Sequence, residues 1–163
     1  MVFSYYYNLT KKQQFIYRKS DRIEFVALRG VVEFHACIAG LRDALADENR
    51  GLITKSAKTL INGLASDLGI PAVEVKVLSV RPSNHRGELH GLYETSGGKE
   101  KAVITVWMRT VKHKRVVAFK TFLRTLLHEF CHHLDYEYYR LADSYHTEGF
   151  FKRESSLLKQ LLP

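Results

Sequence analysis

The chain has two cysteines in 163 residues, Cys37 and Cys131. Two cannot build a disulfide framework, which excludes the small cross-linked folds of secreted proteins. No run of roughly 18 apolar residues occurs, so no membrane-crossing helix and no membrane partner are expected. The opening residues Met1, Val2, Phe3, Ser4, Tyr5, Tyr6 and Tyr7 lack the basic segment and following apolar run of an export signal. The simplest compartment is the cytoplasm. Internal repeats, low-complexity segments and flexible linkers are also missing. With 45% hydrophobic residues, the length suits one core and is short for two, so residues 1–163 read as a single domain.

Acidic residues are in short supply. Against 25 Lys and Arg stand 17 Asp and Glu, a formal net charge of +8, and basic residues gather at Lys11 and Lys12, in residues 81–86 and in residues 112–115. This balance favours polyanions and makes DNA a candidate partner, bound through phosphate attraction that weakens with salt. A solvated basic surface explains the same charge. No compact nucleic-acid motif is present, and the tyrosines of residues 5–7 and 136–139 read as packing rather than base-stacking platforms.

Apolar spacing divides the chain. Residues 1–50 read as helical: Phe15, Ile16, Ile23 and Val26 recur at helix-compatible intervals after Thr10, with a break near Ser20 and Asp21, and a second helix is expected over residues 31–49. A third follows over residues 52–68, ended by Gly69 and Pro71. The period then changes to alternation at residues 73–77, a half-buried strand. Residues 82–87 read as a polar connection, residues 88–95 as a second strand, residues 96–99 as a turn, and residues 102–108 as a third strand apolar enough to be central. The last two helices are expected from Val116 to about Arg140 and over residues 147–162. The fold class is α+β: a small, partly antiparallel three-stranded sheet packed with helices.

The penultimate helix carries the pattern with the most chemistry, His128, Glu129, Phe130, Cys131 and His132, an H-E-x-x-H sequence. Residues four apart share a helix face, so His128 and His132 can offer two imidazole nitrogens to one metal ion with Glu129 beside them. This is the arrangement of a zinc peptidase, in which the carboxylate takes the proton of a metal-bound water as it attacks a carbonyl. The apolar face from Val116 through Phe119, Phe122, Leu123, Leu126, Leu127, Phe130 and Leu134 requires a largely buried helix, with the histidines at the core's edge.

A catalytic zinc commonly takes three protein ligands, one ion per chain. Downstream donors are His133, Asp135, Glu137, Asp143, His146, Glu148 and Glu154. His133 follows His132 directly and points about 100° away. Asp135 shares His132's side and is better placed to accept a ligand's other ring N–H. His146 can return to the ion over six residues, and it shares an inward face with Phe150 and Leu157. Glu154 can also return, but it lies about 12 Å further along the last helix, so both cannot ligate directly. Otherwise Glu154 partners Arg153 or another basic side chain.

With these residues in hand, the C-terminal half resembles the SprT-like family of zinc metallopeptidases. Its members follow H-E-x-x-H with a third histidine in an H-x-x-x-aromatic context, matched here by His146, Thr147, Glu148, Gly149 and Phe150. A strand pair ahead of the motif helix is similar to Gly91, Leu92, Tyr93 and Val103, Ile104, Thr105, Val106. The resemblance implies a zincin-like core in residues 52–163, with His128, His132 and His146 as ligands and Glu129 as the general base. Asp135 and Glu154 are then supporting residues behind the ligands. The chain lacks the cysteines for the zinc ribbon several members carry, and residues 1–50 match nothing in that family. The segments around Glu129 and Asp135 also look like gluzincin sequences, in which Glu154 would be the third ligand.

The expected function is hydrolysis of peptide bonds in a protein or peptide substrate, with an extended chain adding to a strand edge in residues 88–108. Tyr136, Tyr145 and Arg153 are candidates for stabilising the oxyanion. The alternative is a nucleic-acid-associated module that keeps zinc for structure.

Overall fold

The computed structural model describes residues 1–97 and 100–162. Part of the expected turn at residues 96–99, Gly98 and Lys99, lies outside them. The fold is α+β, with five α-helices and a mixed three-stranded sheet among the described residues.

After a 3₁₀ turn at Ser4–Asn8, helix α1 spans Lys11–Asp21. Thr10 starts it with a capping box, its hydroxyl accepting from the Gln13 N–H while the Gln13 side chain accepts from the Thr10 N–H. The helix ends at the break expected near Ser20 and Asp21, before Ile23 and Val26. At this end the Arg153 guanidinium donates to the carbonyls of Ser20 and Ile23. Val31–Phe34 is a 3₁₀ turn leading into α2, His35–Ala46, and α3 spans Arg50–Asp67. These two helices pack together and α3 lies against the first strand, with Ile38, Leu41, Ile53, Leu60, Ile61 and Leu64 fully or nearly fully buried.

Strand β1, Glu74–Val80, turns Val75 and Val77 inward. The expected polar connection after it holds a short hairpin, β2 Ser83–Asn84 and β3 Gly87–Glu88, pinned by Arg81 on the Glu88 carboxylate at 3.2 Å. Consequently the next strand is shorter than expected, β4 at Gly91–Glu94. Strand β5, Val103–Arg109, is central in the order β1-β5-β4, parallel to β1 and antiparallel to β4. Its residues Ile104, Thr105, Val106, Trp107 and Met108 are buried on both alternations, as a central strand requires.

Helix α4, Phe119–Glu137, starts three residues later than expected. Val116 instead bridges Arg109, and the Val117 N–H donates to the Met108 carbonyl at 2.7 Å, so two β-branched residues stay extended on the sheet. The helix also ends short of Arg140, which adopts a left-handed φ of 55° while the Leu141 N–H turns back to the Asp135 carbonyl. Helix α5, Glu148–Leu161, begins at Thr147, whose hydroxyl accepts from the Phe150 N–H at 2.9 Å. Here α1 comes closest: a Cβ on Gly149 would lie 2.3 Å from the Asp21 carbonyl oxygen, so only glycine permits the approach. One hydrophobic cluster runs from Phe34 and Leu41 through the sheet to Leu127, Phe150 and Leu161. No helix among the described residues is long and apolar enough to cross a membrane.

Candidate metal centre

Helix α4 presents His128 and His132 one turn apart, and the chain reversal at Arg140 brings His146 back to face both. The His146 Nε2 lies 3.1 Å from the His128 Nε2 and 3.0 Å from the His132 Nε2. These three residues can each offer a ligand atom to one metal ion. Three nitrogens bound tetrahedrally at about 2.0–2.1 Å would stand roughly 3.3 Å apart, so the donor set fits zinc. Buried Phe150 is the platform under all of them, its ring centroid 5.0, 4.8 and 5.2 Å from the imidazoles of His128, His132 and His146.

The far sides of the rings set the proton positions. Arg153 and Asp135 form a fully buried ion pair at 2.8 Å. The Ser144 hydroxyl donates to the other Asp135 oxygen at 2.7 Å, which leaves its own oxygen to accept from the His132 Nδ1–H at 2.7 Å. His132 therefore carries its proton on Nδ1 and turns the Nε2 lone pair toward the metal position. Glu154 plays the matching part for His128, its carboxylate 3.4 Å from Nδ1 and 3.5 Å from Arg124. Asp135 thus meets a histidine only through Ser144. Glu154 faces the nitrogen of His128 that points away from the cluster. Its basic partner is Arg124 and not Arg153, because consecutive helix residues point about 100° apart.

Burial, with the neighbouring imidazoles adding to it, drives the His132 pKa down to about 3 and lowers that of His146. Both rings are neutral at pH 7, the form that binds a metal. Burial pushes the Asp135 carboxyl up to about 6, with Arg153 and Ser144 opposing, so it stays ionised there. His133 goes elsewhere, as its angle required: its Nε2–H donates to the Pro71 carbonyl at 2.8 Å and its Nδ1 accepts from the Tyr93 hydroxyl at 2.9 Å.

Glu129 lies in the same cleft, a groove of about 1160 Å³ lined by β4 and the exposed stripe of α4. Its carboxyl is buried, which raises its pKa to about 7 against the pull of His128. Gly91 makes room for it: a Cβ there would stand 2.7 Å from the Glu129 Oε1. Of the three oxyanion candidates, Tyr136 lines the cleft. Arg153 is fully buried in its ion pair, and Tyr145 is not among the lining residues. The supporting hydroxyl of Ser144 escaped sequence reasoning, since nothing in its spacing separates it from any loop serine.

No protein-family model, curated protein or solved structure matches the chain. The SprT-like resemblance therefore rests on the histidine motif, its spacing and aromatic, and the strand pair ahead of it.

Proposed function

We propose that the protein is a zinc-dependent metallopeptidase with a zincin-like core, in which His128, His132 and His146 hold the ion and Glu129 is the general base. The observation that carries this reading is the convergence of three imidazole Nε2 atoms beside a buried carboxylate in an open cleft. A zinc ion held there would supply Lewis acidity, polarising a carbonyl and acidifying water. The protein's own part is positional. Ser144 and Glu154 orient the ligand rings, and Glu129, with a pKa near neutrality, is suited to accept a proton and return it to a leaving amine. The outer edge of β4 offers main-chain groups to an extended peptide.

The orientation of Glu154 supports His146 as third ligand over the gluzincin arrangement, because a carboxylate against His128 Nδ1 lies behind the ring that would bind the ion. Metal analysis should find about one zinc per chain. His146→Ala should lose most zinc affinity, whereas Glu154→Ala should keep more of it. Glu129→Gln should retain zinc and lose peptide hydrolysis. Hydrolysis surviving in that variant, or protein that takes up no zinc, would end this reading.

A further inference from the structure

The cleft is not electrically uniform. Upstream of His128, Arg124 and Lys120 succeed each other at intervals of four along α4, both exposed and both lining the groove. The first turn of α4 has no acidic residue, and Ala118 supplies no side-chain cap, so the helix N-terminus adds positive potential at this end. Arg124 is anchored at the rim by its 3.5 Å contact with Glu154. At the other end Glu94 is exposed on β4, three residues beyond the Gly91 that packs on Glu129 and about 10 Å further along the strand. Apart from Glu154, which is buried against Arg124, and Glu129 beside the histidines, the charged groups lining the groove run from basic to acidic.

Direction follows from packing. Gly91 meets Thr125 and Glu129, whereas Tyr93 stacks near His132 and Tyr136, so β4 and α4 run in the same sense. Strand β4 pairs with β5 on one side only and has its other edge open among the described residues. A peptide adding antiparallel, the slightly more stable pairing, sets its N-terminal part beside Glu94 and its C-terminal part beside Arg124 and Lys120. Four helix residues rise about 6 Å, close to the ~6.6 Å spanned by two residues of an extended chain. Arg124 and Lys120 are therefore in step with alternate side chains of such a peptide.

We propose, on the peptidase reading above, that this groove selects peptides with acidic side chains at the second and fourth positions C-terminal to the scissile bond, read by Arg124 and Lys120. Glu94 disfavours acidic residues on the N-terminal side. That polarity argues for a peptide over a nucleic acid, whose uniform negative charge would meet Glu94 at one end and the basic pair at the other.

The test uses the zinc-loaded Glu129→Gln protein and three fluorescein-labelled decapeptides: glutamates in the C-terminal half, glutamates in the N-terminal half, or glutamines throughout. Fluorescence anisotropy should show the first binding about tenfold tighter than the third, as two partly exposed charge pairs allow. The second should bind no better than the third. Adding Lys120→Glu should abolish the preference, and adding Glu94→Lys should let the second peptide bind as well as the first. Equal binding of all three peptides, or a preference that survives both Lys120→Glu and Arg124→Gln, overturns the proposal. So does Lys120-dependent binding of an oligothymidine without peptide discrimination, which would assign the basic end to nucleic acid. Wild-type hydrolysis of the same peptides is read separately: a charge preference without cleavage keeps the selectivity and removes the peptidase reading.

Discussion

Two regions of this molecule are held together by different physics. Helices α2 and α3 contribute only apolar side chains to the buried interior, and neither supplies a buried polar group among the described residues. Around α4 and α5 the interior instead contains Ser20, Glu129, His133, Asp135, Thr147, Arg153, Glu154 and Ser156. Apolar packing is non-directional and contributes stability in proportion to area. A buried hydrogen-bonded network gives less net stability but fixes orientation. The first region should therefore set how stable the protein is, and the second where its imidazoles point.

Arg153→Met attacks the second region hardest. It leaves the Asp135 carboxylate buried without its partner, and about 3–5 kcal/mol of stability should be lost in urea unfolding. The double variant with Asp135→Leu should recover much of that stability while zinc affinity stays weak, because Ser144 then has no acceptor and the His132 tautomer is no longer set. Recovery of both would show that the network serves packing alone.

Leu64→Ala is the control from the first region. A cavity in the apolar layer should cost about 2–5 kcal/mol, yet zinc affinity at a temperature where the variant is folded should equal that of the parent. If affinity falls in parallel with stability, the two regions are not separable.

Gly91→Ala sharpens the contrast at the cleft. The added methyl meets the Glu129 carboxylate, and a displacement of about 1 Å in a catalytic group can cost on the order of 100-fold in rate. Zinc content should not change. Ser144→Ala should do the reverse, weakening zinc by about 10–100-fold, as loss of a ligand-orienting partner does, with a stability change of only about 1 kcal/mol. Chelator competition and denaturant titration on the same samples separate the two effects.

The smallest expected effect concerns pH. Burial lowers the His133 pKa below its ordinary 6.5, with the Pro71 hydrogen bond opposing. Between 6.5 and that lower folded value the unfolded chain holds the extra proton, so the stability it contributes is present above pH 6.5 and is lost as pH falls through the window. In metal-free protein, His133→Gln should flatten the pH dependence of stability below 6.5. An unchanged slope would assign the acid sensitivity to His132 and His146.

Periodicity was informative wherever one face of an element is apolar. It located α3 to within two residues at its start and put β5 at the sheet's centre, because an apolar stripe or run can satisfy itself in few ways. It was silent where no apolar stripe marks the element. The break expected near Ser20 and Asp21 is where α1 ends, with Arg153 on the carbonyls of Ser20 and Ile23, but the hairpin over residues 83–88, with the Arg81–Glu88 ion pair, has no periodic signal.

At the candidate metal centre, the sequence by itself determined the pair His128 and His132 and the neighbouring Glu129, since helical geometry places residues four apart on one face whatever surrounds them. It also offered His146 and Glu154 as the downstream donors able to return to the pair. Only the tertiary structure decided that His146 faces both ring nitrogens, that Ser144 stands between Asp135 and His132, and that Glu154 sits behind His128. These contacts depend on the angle between α4 and α5 and on the left-handed turn at Arg140, which are set by packing against the core and by the close approach of α1 to Gly149. No local spacing encodes an angle between two helices, because it is the joint outcome of every side chain packed between them.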